Sequence, residues 1–133
     1  MACGARPPIV LGMKTTIVVA AARGSTRSSL WSLLETEPLL DPVGAAPDLA
    51  AAIRLLRALR PDVLLVHRAT LGDAGLRRLP MLTAEFPDVA IVVVGMGDHP
   101  GIAAEVRNAG GAGYIRLDEA AERVSDVAAL RAS

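Results

Sequence analysis

Short, unbroken apolar runs alternate along this chain with amphipathic segments of helical period. "TTIVVA" (Thr15 to Ala20) reads as a first strand, and Ser28 to Glu37 as a helix with Leu30, Leu33 and Leu34 on one face. A second strand is expected to be short, near Pro42 to Ala45, because Pro42 and Gly44 limit it. A strand carrying proline lacks a ladder donor and belongs near a sheet edge. "DLAAAIRLLRALR" is the clearest helix, with Leu49, Ile53, Leu56 and Leu59 at helical spacing and Asp48 near its start. "DVLLV" is a third strand whose continuous apolar character implies cover on both faces. Leu76 to Phe86 predicts a third helix, in which Pro80 either makes a kink or marks the first turn. "VAIVVVG" (Val89 to Gly95) is a fourth strand, and "HPGIAAEVRNAGG" a helix closed by a glycine pair suited to left-handed backbone. "GYIRL" is the fifth strand, and Asp118 to Leu130 a last helix with Val124, Val127 and Leu130 facing inward.

Five such strand–helix units with right-handed crossovers predict an α/β fold: a flavodoxin-like, doubly wound (βα)5 parallel sheet in three layers, order 2-1-3-4-5. Ligands and chemistry in such sheets lie beyond the carboxyl ends of the strands. The segments to weigh are therefore Ala20 to Arg23, His67 to Leu71, Gly95 to His99, and Arg116 to Asp118. Residues 14–133 read as one domain. Residues 1–13 read as a loose extension, with Met13-Lys14 the more natural start.

Composition narrows the function classes. Apolar residues make up 52% and charged residues 21% of the 133, a globular profile. The 14 basic and 14 acidic side chains cancel, so no overall field draws the chain to nucleic acid or to an anionic membrane. Lys14 is the only lysine, which removes lysine chemistry nearly everywhere. A lone cysteine, Cys3, cannot form an internal disulfide and fits a reducing cytoplasm. The apolar runs are strand-length, well short of a membrane span, and "MACGARPPIVLG" is a poor secretory signal. No acid–base pair or nucleophile constellation points to an enzyme. No basic stripe with interleaved aromatics points to direct nucleic-acid binding.

The segments "LLETEPLLDPVGAA", "LRPDVLLVH", "AEFPDVAIVVVG" and "RNAGGAGYIRLD" resemble, in order and spacing, the receiver domain of bacterial two-component response regulators. They are most similar to the receivers that usually precede a helix-turn-helix output domain. The resemblance implies where a working receiver's chemistry would lie. Two acidic residues after the first strand help hold magnesium, an aspartate ending the third strand accepts the phosphoryl group, and a Ser or Thr and a Lys end the fourth and fifth strands. Those positions carry Ala21 and Ala22, His67, Gly95 and Leu117 here. Magnesium takes oxygen ligands, and phosphoryl transfer depends on charge neutralisation by metal and cation. Five replacements together imply a degenerate pseudo-receiver that needs no magnesium or other cofactor. The aromatic that reorients with the hydroxyl residue in phosphorylated relatives is Tyr114, which meets no hydroxyl at Gly95. Its plainest reading is a ring packed with its OH at the surface.

Several residues admit more than one role. His67 could accept a phosphoryl group, titrate near neutral pH, or join His99 and Asp98 at a zinc site, although their spacing is no ligand signature. The simplest reading is a strand-end histidine hydrogen-bonded to a neighbour, with Asp73 and Asp98 as candidates. Arg23, Gly24, Ser25 and Arg27 at a helix start make a weak anion site or, more simply, a capped helix terminus. Arg68 and His99 complete the candidate ligand contacts. The function expected is phosphorylation-independent regulation by association, as a homodimer through the fifth strand and last helices or with another signalling protein. A DNA-binding output domain beyond Ser133 is the first candidate for any continuation. The alternative is a sensor that binds an apolar small molecule at the strand ends, where carboxylates and lysine have given way to small apolar groups.

Overall fold

The computed structural model describes residues 14–97, 99–120 and 122–124. Five strands form one parallel sheet: β1 (Thr15–Ala20), β2 (Leu40–Ala46), β3 (Val63–His67), β4 (Ala90–Gly95) and β5 (Gly113–Arg116). They lie in the order β2-β1-β3-β4-β5, as the alternation of runs predicts. The helices between them are α1 (Gly24–Glu35), α2 (Leu49–Leu59), α3 (Arg68–Glu85) and α4 (Pro100–Asn108). A 3-10 turn, Leu117–Glu119, follows β5 and leads into a helical stretch that includes Val124. Val127 and Leu130 lie outside the described residues.

Alternate strand positions divide the core into two layers. Val18, Leu64, Val66, Ile91 and Val93 pack with Leu49, Leu56, Leu79 and Val106 from α2, α3 and α4. Ile17, Val19, Leu65, Val92 and Val94 pack on the opposite face with Leu30 and Leu34 of α1, and with Ala120 and Val124. Leu64 and Leu65, adjacent in sequence, are both fully buried, one in each layer. Each contributes roughly 1.5–3 kcal/mol of burial. At the amino end of the sheet, the Asp62 carboxylate accepts the Thr16 backbone N–H at 2.9 Å, while the Asp62 N–H donates to Thr16 Oγ1 at 3.0 Å. That clamp sets β1 against β3.

Some boundaries differ from those the sequence predicts. β2 is longer than expected because the proline is absorbed by a bulge: Ile17 pairs with Pro42 and Val18 with Gly44, so Val43 is passed over. Its place at the sheet edge is the one a proline strand requires. Gly44 also does more than limit the strand. An added Cβ there would press on Leu59 and Leu55 at 3.1 and 3.2 Å, so the missing side chain lets α2 settle on β2. α1 begins at Gly24 rather than Ser28, and α3 at Arg68 rather than Leu76. The break in α3 falls at Gly72 (φ 66°, ψ 177°), not at Pro80, which lies inside the helix. Of the glycine pair after α4, Gly110 is the left-handed one (φ 96°).

Candidate functional site

The carboxyl ends of β1, β3, β4 and β5 bring Ala21, Ala22, His67, Gly95 and Leu117 to one end of the sheet, where the sequence places them. What stands around them is a set of internal contacts. Ala21 is fully buried, and its N–H donates to the Ala46 carbonyl at 3.0 Å. Ala22 is exposed, and its N–H donates to Thr70 Oγ1 at 2.7 Å, tying the end of β1 to the first turn of α3. Arg27 reaches back from α1 and donates through Nη1 to the carbonyls of Ala21 at 2.7 Å and Ala22 at 3.3 Å. A guanidinium therefore sits on the backbone at the two positions where the resemblance to receivers implies metal-binding carboxylates. Two methyl groups and a resident cation do not suit a hard divalent ion, which wants anionic oxygen. Among the described residues no group of three His, Cys, Asp or Glu side chains comes together as a metal site.

Gly95 is the most informative position. A Cβ added there would overlap the hydroxyl of Tyr114 and come within 3.0 Å of its ring carbons Cε2 and Cζ. Tyr114 thus fills the volume that a serine or threonine at 95 would need. Its hydroxyl donates to the Gly97 carbonyl at 3.0 Å, and the His99 ring meets it edge-on with centroids 5.8 Å apart. His99 Nε2–H in turn donates to the Met96 carbonyl at 2.9 Å. The loop after β4 is thereby held from β5. To the expected packed ring this adds an engaged hydroxyl, which lies over Gly95 and bonds the Gly97 carbonyl. It also gives His99 a role within the loop.

His67 ends β3 half-buried and serves as the N-cap residue of α3, without a side-chain capping bond. Burial, and secondarily the nearby Arg23 charge, push its pKa below the ordinary imidazole value of 6.5. Asp73 pairs instead with Arg68, whose Nη2 stands 3.0 Å from its Oδ1, while the buried Arg68 Nε has no hydrogen-bond partner among the described residues. Asp98, the other candidate partner of His67, lies outside the described residues. Leu117 packs half-buried against the second core layer, with no polar group to offer. Ser25 does not cap α1: the helix starts one residue earlier, the N-cap is Arg23, and no side-chain cap forms. Asp48, by contrast, caps α2 as expected, accepting the Ala51 N–H at 2.8 Å. Sequence reasoning missed Thr70, since a lone threonine in a helix turn carries no signal. It found Arg27 but not its target, because the carbonyls it serves are chosen by the chain's path.

No family model matches the chain. Over 80 residues it is 30% identical to the protein-glutamate methylesterase/protein-glutamine glutaminase 3 of Anaeromyxobacter dehalogenans (strain 2CP-C), covering 60% of this chain and 23% of that protein. The chain spans less than a quarter of that relative, so the activity in its name stays with that protein. Among solved structures, the signal receiver domain of NarL from Mycobacterium tuberculosis shares 26% identity and a TM-score of 0.75, over 85% of this chain and 94% of that one. A LuxR-family two-component response regulator from Aurantimonas sp. SI85-9A1 superposes with a TM-score of 0.77 at 23% identity, over 90% and 86% of the two chains. With the same parallel sheet in the order 2-1-3-4-5, this chain has the receiver fold of bacterial response regulators.

Proposed function

We propose that this chain is a pseudo-receiver: a cytoplasmic, non-enzymatic signalling domain that works by association and independently of phosphorylation. The observation that carries this reading is the seating of Tyr114 over Gly95. In phosphorylated relatives the aromatic reorients together with a hydroxyl residue and remodels the face around the fifth strand. Here no hydroxyl competes for the space, and the ring occupies it as a resting feature of the sequence. Arg27 on the Ala21 and Ala22 carbonyls supports the same reading, since a fixed cation stands where a bound metal would otherwise be needed.

Association is the function that remains for a receiver face held in one state. RcsB, a protein of the same fold at 22% identity and a TM-score of 0.73, is seen as two dimers bound to two parallel DNAs. By analogy of fold, a homodimer through β5 and the last helix is the first partner proposed, and another signalling protein the second. The test is direct. Beryllofluoride with magnesium, or acetyl phosphate with magnesium, should leave the near-ultraviolet spectrum and the sedimentation profile unchanged. Saturable binding of either, or a shift in oligomeric state on adding it, overturns the proposal. The small-molecule alternative concerns a cleft between α1 and β2.

A further inference from the structure

We infer that the cleft between α1 and the edge strand β2 binds a small aromatic carboxylate, with Arg27 taking the carboxylate and Trp31 the ring. The cleft measures about 290 Å³ and is lined by Arg27, Ser28, Trp31, Ser32 and Ala45. That volume sits at the small end of ligand sites, which suits a one-ring compound and excludes a dinucleotide.

Four of the lining side chains come from one helix at spacings that align them. Arg27 and Trp31 are four residues apart, as are Ser28 and Ser32, so each pair stacks along one stripe of α1. Ala45 of β2 forms the opposite wall with only a methyl group, which keeps the cleft open. Trp31 is the only tryptophan of the chain, and it packs against the second core layer while still lining the cleft. An indole held in that way offers a fixed surface to a flat ring at little conformational cost.

The charge at this site points to an anion. Arg27 is half-buried, and its hydrogen bonds run from Nη1 alone to the two backbone carbonyls. No carboxylate pairs with it among the described residues, whereas Arg57, Arg68 and Arg116 each have an acidic partner. The carbonyls hold the guanidinium in place without cancelling its charge. A pre-positioned guanidinium is well suited to donate to two carboxylate oxygens, and the Ser28 and Ser32 hydroxyls that line the same cleft are further donors. This cleft is separate from phosphorylation-independent signalling: beryllofluoride binding would sink that reading, whereas benzoate binding without magnesium tests the cleft itself.

Because Trp31 is the sole tryptophan, its fluorescence reports on the cleft alone. Benzoate titrated into the full chain should quench or shift this emission saturably, and benzyl alcohol, of similar shape but uncharged, should bind about tenfold more weakly. Arg27→Gln should lower benzoate affinity by about the same factor. Arg27 also supports the end of β1, so a second variant guards against misfolding. Ser32→Leu fills the cleft from an exposed helix position and leaves the Arg27 contacts in place, and it should abolish the response while unfolding stays cooperative. A response linear in benzoate, equal with benzyl alcohol, or unchanged in Ser32→Leu overturns the assignment and reduces the cleft to a surface depression.

Discussion

Gly95 and Tyr114 act as one unit, and neither can be understood from its own type. An absent Cβ is ordinarily read as freedom of the backbone, yet Gly95 lies in a regular, fully buried strand and its value is the volume it yields to a phenol ring. Gly95→Thr should therefore evict the ring. We expect a loss of about 1–3 kcal/mol in denaturant unfolding, the range for overpacking a filled site. The ring resonances of Tyr114, the only tyrosine, should move with it. An unperturbed tyrosine spectrum in that variant would contradict the arrangement. His67 makes a second prediction at this scale. Its folded imidazole holds a proton less tightly than in the unfolded chain, since burial and then Arg23 disfavour the charged form. Once the pH falls below about 6.5 the unfolded state binds more protons, so stability drops as the medium is acidified through that value. Replacing His67 with Asn should make the thermal midpoint less sensitive to pH across this window. A slope identical to the parent's would rule out His67 as its source.

At the scale of elements, periodicity identified nearly every strand and helix, because a fully covered strand must be apolar throughout and a surface helix apolar on one stripe. It erred where one residue redirects the chain. Pro80 looks like the natural breaker of α3, but the break lies at Gly72, whose backbone (φ 66°, ψ 177°) is all but closed to residues with a side chain. An added Cβ at Gly72 would meet nothing within 4 Å, so Gly72→Ala isolates the backbone cost, expected at about 1–3 kcal/mol. Pro80→Ala should instead raise stability, since it relieves a proline inside a helix. Urea midpoints moving in opposite directions would bear this out; a neutral Gly72→Ala would not. β2 repeats the lesson. Its proline and glycine look like strand limits, yet the bulge at Val43 and the packing of Leu55 and Leu59 over Gly44 turn both into parts of a seven-residue strand.

For the whole molecule, the proposed loss of receiver chemistry involves several strand ends at once, and restoring one residue should not restore the rest. His67→Asp alone is expected to gain no phosphoryl group from acetyl phosphate, as read by intact mass, because Ala21, Ala22 and Leu117 offer no metal or phosphoryl contacts and Arg27 already occupies the carbonyls of β1. Labelling of that single variant would show the site to be far less altered than its residues imply. No helix among the described residues is long and apolar enough to cross a membrane.

The chain's own pattern determined the sheet, its order and the positions that face its carboxyl edge. Those follow from which short runs are apolar on both faces and from the handedness of the crossovers, both local or generic properties. It also determined which residues, Ala21, Ala22, His67, Gly95 and Leu117, stand where the resemblance to receivers implies acidic, acceptor, hydroxyl and lysine groups. Only the tertiary structure decided what took their place. Tyr114 over Gly95, Arg27 on the ends of β1, and Thr70 bridging to Ala22 join residues that are 19, 6 or 5, and 48 positions apart. Such contacts arise from the chain's path through space, which no periodicity records.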